Sequence, residues 1–182
     1  MDNNNSLTEN VPFDAASEYI PVAPVTSKLG IAGNATPDIL NTVFTTLNPG
    51  TYFSLFAIDS FSKISMAMVT DNFVTPPSDS SLIRFFHFSP NASYINAILE
   101  NPLDTFYLGT HLFNDQNTYS TYMAFKEIPA GEYNLLMQTA DSLSISTPFI
   151  FSGGKVYTLY AKGFYQGTGN TALSASMIVH NE

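Results

Sequence analysis

The apolar residues of this chain occur in short continuous or alternating runs of about four to nine residues, and Pro, Gly, Asn, Asp and Ser separate the runs. Alternation with a period of two residues is typical of half-buried β-strands, and no segment has the period of an amphipathic helix. Phe, Tyr, Thr, Val and Ile are common in the runs, and their side chains suit a pleated surface. The pattern therefore predicts an all-β chain.

The predicted strands form two series. The first series lies near Tyr19–Val22, Lys28–Ile31, Ile39–Thr46, Tyr52–Ile58 and Ile64–Thr70. The second lies near Leu82–Ser89, Ile95–Glu100, Tyr122–Ile128, Glu132–Thr139, Leu143–Phe151, Val156–Phe164 and Ala172–His180. Two adjacent prolines between the series lack backbone donors and disfavour regular structure. We expect a first domain at residues 1–72, a linker at 73–81 and a second domain at 82–182.

The two series repeat one another. Residues 47–57 align without gaps on residues 151–161, Leu29 falls on Leu135, and Met68-Val69 matches Ile178-Val179. The second series opens with two strands that have no counterpart in the first, where the polar segment Met1–Asn10 stands instead. We expect a first repeat without its first two strands. Two explanations remain: a truncated or misassigned start, or a sheet that a strand from a partner completes.

Charge and composition exclude several classes of function. The formal net charge is -9, with six Lys and Arg in total, which is unfavourable for binding nucleic acid or anionic lipid. The absence of cysteine excludes disulfides and thiol chemistry. No apolar run approaches the roughly 20 residues that span a bilayer, and the polar N-terminus does not resemble a signal peptide.

No catalytic, metal or cofactor site is predicted. His87 and Ser89 are two residues apart on one strand, about 6–7 Å, which is too far for a nucleophile–base pair. His87, His111 and His180 lack the spacing of metal ligands. Gly153-Gly154-Lys155 lacks the spacing of a phosphate-binding loop, and we expect a hairpin turn there.

Tyrosines are the best candidates for ligand contact. Tyr107, Tyr119 and Tyr122 lie in a stretch rich in loop-forming residues, and Tyr165 follows a predicted strand. Loops on a rigid β-scaffold commonly carry binding residues, and tyrosine rings stack on sugars or on partner proteins. We therefore predict that these four residues contact a ligand.

Three motifs resemble a bacterial family, the domain of unknown function 4397. Arg84–Leu99 is similar to the family's opening strand, which ends in His-Ala-Ser-Pro-Asp-Ala-Pro, and to the alternating strand that follows it. Ile128–Tyr133 resembles its Pro-Ala-Gly-Thr-Tyr turn, and Phe151–Thr158 its Gly-Lys-x-Tyr-Thr motif. The resemblance covers residues 82–182 and approximately 13–72. Asn91 and Asn96 stand where the family usually has Asp, and Ser93 replaces the usual Pro.

The resemblance implies two immunoglobulin-like antiparallel β-sandwich repeats in tandem. It implies an exported, lipid-anchored or cell-surface bacterial protein, whose anchor would lie upstream of this chain, and it implies no enzymatic activity. We expect a non-catalytic interaction or spacer module that binds a glycan or a host or matrix protein. The alternative is a pilin-like assembly subunit whose incomplete first repeat accepts a strand from a partner.

Overall fold

The computed structural model describes residues 6–33 and 38–181, and the chain divides into two compact units, residues 1–71 and 72–182. Within the described residues, the regular structure is β-strand apart from four short 3-10 helices. The prediction of an all-β chain is confirmed. No helix in these ranges is long and apolar enough to cross a membrane.

The first unit contains two antiparallel strand pairs. β1 (Thr26–Ala32) pairs with β2 (Ile39–Thr46), and β3 (Phe53–Ile58) pairs with β4 (Ser65–Thr70). A 3-10 helix at Phe61–Lys63 joins β3 to β4. Each strand therefore has one partner strand among the described residues of this unit.

The segment that precedes β1 has no regular structure in its described part, so the strand predicted at Tyr19–Val22 was wrong. Pro21 lies inside that segment and lacks the backbone donor that a strand ladder requires. A side chain anchors the segment instead, because the Tyr19 hydroxyl donates to Oδ2 of buried Asp71 at 2.7 Å. The Tyr19 ring also packs edge-on against Tyr52, with 5.2 Å between the ring centroids.

The described part of the second unit, residues 72–181, contains eight strands in two four-stranded sheets. They are β5 (Ser80–His87), β6 (Ile95–Glu100), β7 (Thr105–His111), β8 (Lys126–Pro129), β9 (Gly131–Thr139), β10 (Ser144–Phe151), β11 (Val156–Lys162) and β12 (Ser174–Val179). One sheet has the order β10-β9-β6-β7, and the other has the order β12-β11-β5-β8. The β-strand period places alternate residues on one face, and along β9 the residues Tyr133, Leu135 and Met137 are buried.

The hydrophobic core of the second unit draws on both sheets. Phe85 of β5 and Leu159 of β11 contribute from one sheet, and Leu99 of β6 and Leu135 of β9 contribute from the other. Leu99, Leu135 and Leu159 are fully buried. Complete burial of a leucine side chain contributes about 1.5–3 kcal/mol, so β5, β6, β9 and β11 form the stable centre of this unit.

One strand pairing differs from our expectation of antiparallel sheets. β5 and β11 run parallel, with Phe85 opposite Leu159, whereas the other pairs of named strands are antiparallel. A tight turn forces its two strands to be antiparallel, but strands with a long connection are free of this constraint. The long chain path from β5 to β11 allows the parallel arrangement.

The turn at Gly153 and Gly154 is present, but the prediction of a hairpin was wrong. Gly154 has a positive φ of 76°, and the Lys155 N–H donates to the Ser152 carbonyl at 3.3 Å. The turn connects β10 to β11, and these strands belong to different sheets. A Cβ atom on Gly153 would overlap the backbone of Ser78, so this position has no space for a side chain.

Residues 73–81, expected to be a linker, make contacts within the second unit. The Phe73 ring packs edge-on against Phe125, with 5.6 Å between centroids. The Pro77 carbonyl accepts from the N–H groups of Ser80 and Gly154, at 3.1 and 3.0 Å. Ser80 and Ser81 are already part of β5.

The region between β6 and β8 differs most from the predicted strands. β7 was not predicted, and the strand expected at Tyr122–Ile128 is a 3-10 helix at Ser120–Met123 followed by the short β8. In the pairing of β6 with β7, Ala97 is opposite Gly109 and Ile98 is opposite Tyr107, so Leu108 is an extra residue. This bulge disrupts the two-residue alternation that identifies a strand in a sequence.

Candidate ligand-binding site

The four predicted ligand-contact tyrosines occupy two places in the second unit. Tyr107 lies on β7 and its side chain is 70% exposed. Tyr119 is 53% exposed at the start of the 3-10 helix that contains Tyr122. Tyr119 and Tyr122 are in contact, with ring centroids 5.8 Å apart. Tyr165 follows β11 and belongs to a separate contact network.

Tyr107 and Tyr122 line a cleft with a volume of about 220 Å³. β5 contributes residues 83–85 to its walls, β7 contributes Tyr107, Leu108 and His111, and the segment 121–126 contributes most of the remainder. The cleft thus lies between the buried central strand β5, the strand β7, which the sequence did not predict, and a segment where the sequence predicted a longer strand. Its mostly apolar and aromatic lining, with a few polar groups, suits a small ring-shaped ligand.

His111 positions Tyr122 at the cleft. The two rings are 4.2 Å apart between centroids, and the Tyr122 hydroxyl donates to the Thr110 carbonyl at 3.3 Å. His111 is 1% exposed, and its Nδ1 lies 3.4 Å from Oδ1 of Asp115. The second carboxylate oxygen of Asp115 accepts from the Leu112 N–H at 2.8 Å. These contacts hold the tyrosine ring in one orientation.

Arg84 is a buried cation at the cleft that sequence reasoning did not assign to a site. It is 2% exposed, and its guanidinium carbon lies 4.3 Å from the Phe125 ring centroid and 4.8 Å from that of Phe86. Its Nε donates to Oγ1 of Thr158 at 2.8 Å. An arginine flanked by apolar residues in the predicted strand Leu82–Ser89 was the available signal, because arginine is almost never fully buried unless it is paired.

Lys126 provides a second cation at the rim of the cleft. Its Nζ donates to the Tyr107 carbonyl at 3.4 Å and lies 5.4 Å from the Phe106 ring centroid. Lys126 is exposed, so its charge is solvated, whereas that of Arg84 is in a medium of lower dielectric constant. Two cationic side chains therefore lie at one cleft of a chain whose formal net charge is -9.

Tyr165 connects loops away from the cleft lining. Its hydroxyl donates to Oδ2 of Asp141, which raises the pKa of the Tyr165 phenol. The pKa of Asp141 is lowered, chiefly by its hydrogen bond from Thr139 and then by that from Tyr165. The Tyr165 N–H donates to Oδ1 of Asn91 at 2.7 Å, and Nδ2 of Asn91 donates to the Tyr165 carbonyl at 3.0 Å. The second of these bonds needs an amide, which explains asparagine where the similar family usually has aspartate.

His87 and Ser89 do not form a nucleophile–base pair. Nδ1 of His87 accepts from the backbone N–H of Ser89 at 3.2 Å, and the Ser89 hydroxyl has no hydrogen-bond partner among the described residues. Burial lowers the pKa of His87 to about 4; the nearby backbone of Ala92 opposes this shift, and nearby His111 adds to it. The ring is therefore a neutral, buried group near pH 7.

The described residues contain no group of three His, Asp or Glu side chains arranged to hold a metal ion. His180 instead shares a hydrogen bond of 2.6 Å with Oγ1 of Thr158. Asp115 bonds to His111 and to the Leu112 N–H, and Nε2 of Gln116 donates to Oδ1 of Asn114 at 2.6 Å.

The sequence profile of one family, described as a domain of unknown function (DUF4397), matches residues 1–98. The match spans the first unit and continues into β5 and β6, so it includes most of the opening motif at Arg84–Leu99. It does not extend to the motifs at Ile128–Tyr133 and Phe151–Thr158. No curated protein matches the chain. Because the match covers more than half of the 182 residues, the chain belongs to the DUF4397 family.

Proposed function

We propose that this chain is a non-catalytic interaction module of an exported bacterial surface protein, and that the cleft of the second unit binds its ligand. The observation that carries the proposal is the exposed Tyr107 ring beside a cleft that also contains the buried Arg84. A fixed aromatic ring and a few polar groups are the usual components of a small-ligand site. The family resemblance supports the surface location.

A saccharide unit is the ligand that suits this cleft best. The volume of about 220 Å³ is below the range of about 300–1,000 Å³ that is common for drug-sized ligands, so the cleft accommodates a single ring or side chain. Tyrosine presents an apolar face and a polar hydroxyl, which match the two kinds of surface on a sugar ring. A side chain of a host or matrix protein is the other candidate.

We also propose that the two units are copies of one immunoglobulin-like sandwich repeat, in which β1 to β4 are the counterparts of β9 to β12. The described part of the first unit has no counterpart of β5 to β8, which is four strands where the sequence indicated two. Strand register supports the duplication: Leu29 is opposite Val43, and Leu135 is opposite Thr147. The Asp71 N–H donates to the Tyr52 carbonyl at 2.9 Å, and the His180 N–H donates to the Val156 carbonyl at the same distance.

The strand register also shifts the alignment of β4 with β12 by one residue relative to the alignment of the sequences. Phe53 is opposite Thr70, and Tyr157 is opposite Val179. Val69 thus corresponds to Ile178, one residue from the correspondence expected from sequence.

A thermal unfolding screen of the full chain tests the binding function. A ligand present at 100 times its dissociation constant adds about 2.7 kcal/mol, which raises the melting temperature of a domain this size by on the order of 10 °C. We expect such a rise with one class of glycan. The Tyr107→Ala variant should lose affinity for that glycan about tenfold, because the ring no longer stacks on the ligand.

The matched control is Tyr94→Ala, which removes a 39% exposed tyrosine of the same unit outside the cleft lining. It should keep the wild-type affinity. Tyr107 is mostly exposed, so its replacement should leave the melting temperature without ligand unchanged. The binding proposal is wrong if no glycan or matrix protein shifts the melting temperature, or if Tyr107→Ala binds as tightly as the wild type.

A further inference from the structure

The cleft of the second unit lies where β8 stops pairing with β5. Ile83 of β5 is opposite Lys126, which is the first residue of β8. β5 continues to His87, whereas the chain before Lys126 forms the 3-10 helix that contains Tyr122. The cleft lining includes Lys126 and also Phe85, which belongs to the part of β5 that β8 does not cover. One edge of β5 therefore borders the cleft.

The hydrogen bonds with β11 show which backbone groups of β5 point to this edge. The Leu82 N–H donates to the Lys155 carbonyl at 3.0 Å. The Phe88 N–H donates to the Ala161 carbonyl at 2.9 Å. Successive residues of a strand direct their backbone groups to opposite edges, so the even-numbered residues of β5 bond to β11. Phe85 is odd-numbered, and its N–H and carbonyl therefore point to the edge that borders the cleft.

Phe85 presents a backbone donor and a backbone acceptor at the cleft wall. Neither its N–H nor its carbonyl has a hydrogen-bond partner among the described residues, although the residue as a whole is only 3% exposed. Buried backbone groups in proteins are nearly always paired. The Phe85 side chain belongs to the hydrophobic core, so the strand holds both groups in place. The two groups therefore form a two-point site for a ligand in the cleft.

The open stretch of β5 is short, and this limits what can bond to it. On one side of Phe85, Ile83 pairs with Lys126 of β8. On the other side, the His87 carbonyl accepts from the Asn114 N–H at 2.9 Å. A peptide that adds a strand to a sheet edge bonds to a row of free backbone groups, and the paired residues on both sides interrupt such a row. A small group with a donor beside an acceptor suits this site better than a strand.

We propose that two neighbouring hydroxyl groups of a saccharide bond to Phe85: one accepts from its N–H, and the other donates to its carbonyl. The inference rests on the proposed binding function, and it specifies a saccharide with a free pair of adjacent ring hydroxyls. Because a hydroxyl both donates and accepts, such a pair satisfies both backbone groups at once. The exposed Tyr107 ring at the same cleft stacks on a face of the sugar ring.

The experiment is an NMR titration of the isotope-labelled full chain with the methyl pyranosides of glucose, galactose and mannose. Between them, these sugars present axial and equatorial arrangements of neighbouring hydroxyls, and we expect at least one to bind. Its 3-deoxy analogue should bind about tenfold more weakly, because the hydroxyls that remain at positions 2, 4 and 6 are not adjacent. The matched control is the 6-deoxy analogue, which keeps the adjacent hydroxyls and should bind as the parent glycoside does.

Hydrogen exchange of the same samples tests the role of Phe85. Its amide should exchange more slowly in the complex, whereas the amide of Ile83, which is already paired with β8, should be unchanged. The Tyr107→Ala variant should weaken the binding of the parent and 3-deoxy glycosides by the same factor, since stacking does not depend on the removed hydroxyl. The ratio of the two affinities should therefore equal that of the wild type.

Equal affinities for the parent and 3-deoxy glycosides would overturn the inference, and so would binding that leaves exchange at Phe85 unchanged. In both cases, a loss of affinity in Tyr107→Ala would still support the proposed binding function. If none of the three glycosides binds, the inference is wrong, and a matrix protein that then slows exchange at Phe85 would make a protein amide the ligand. If no glycan or protein shifts the melting temperature, the binding function itself is wrong.

Discussion

His87 is a buried histidine at the end of β5, and its Nε2 has no hydrogen-bond partner among the described residues. Desolvation favours the neutral form of such a ring. Its position shows how a residue that looks chemically active in the sequence serves packing in the fold. Asn91 is a second such residue, because its amide bridges the backbone of Tyr165 and does not need the charge that the family usually places there.

The pKa of His87 predicts a loss of stability in mild acid. The folded-state pKa is about 4, below the reference value of 6.5. Between these values the unfolded chain binds a proton that the native chain does not, so the free energy of unfolding decreases as pH falls from 6.5 to 4. A shift of this size corresponds to about 3 kcal/mol.

The measurement is urea unfolding of the wild type and of His87→Asn at pH 7 and pH 4. Carboxylates contribute to the acid sensitivity of both proteins, so the difference between them isolates His87. Asparagine retains an acceptor for the Ser89 N–H but does not titrate. Equal losses of stability in the two proteins would show that His87 does not titrate in this range.

At the scale of elements, the bulge in β7 gives the cleft its geometry. Gly109 has a φ of 122°, and the extra residue Leu108 lies between it and Tyr107. The bulge makes Tyr107, Leu108 and His111 line one cleft. A bulge commonly redirects side chains in this way, next to functional sites in particular.

We expect Gly109→Ala to destabilise the second unit. Its φ lies outside the range that alanine readily adopts, and its Cβ would lie 3.1 Å from Nε2 of His111. Such strain costs about 1–3 kcal/mol. Gly169→Ala is the control: it has a φ of 57° with no atom near the added Cβ, so its cost should be closer to about 1 kcal/mol. Chemical denaturation of both variants shows which one loses more free energy of unfolding. An equal or larger loss in Gly169→Ala would contradict this account.

At the scale of the whole molecule, the two units differ in the size of their cores. In the described part of the first unit, the buried apolar residues are Leu47, Ile58, Ala67 and Val69, and none is aromatic. The second unit buries Phe86, Phe151 and many aliphatic side chains. Because burial of apolar area is the main favourable contribution to folding, the first unit is the less stable one.

We therefore expect two unfolding transitions, with the first unit unfolding at the lower temperature. Differential scanning calorimetry should show both, and hydrogen exchange should assign the earlier one to the strands of residues 26–70. A single transition in which the amides of β3 and β11 open together would contradict the prediction.

Local patterns in the sequence were enough to identify the all-β class and the positions of most strands, because alternation and turn residues act between near neighbours in the chain. β2, β6 and β10 lie where their apolar runs indicate. The sequence also indicated the pattern that residues 47–57 share with residues 151–161. β7 could not be predicted, since its bulge interrupts the alternation, and Pro21 prevented the strand expected at Tyr19–Val22.

The pairing of the strands, in contrast, became clear only in the folded chain. The parallel pairing of β5 with β11 depends on contacts between residues more than 70 positions apart, which no local preference encodes. The cleft follows from the same cause: Arg84 and Tyr107 come together only after the sheets have formed around a shared core. Side-chain chemistry can be read from the sequence, but the burial that holds Arg84 against aromatic rings and lowers the pKa of His87 arises from the packing of distant strands.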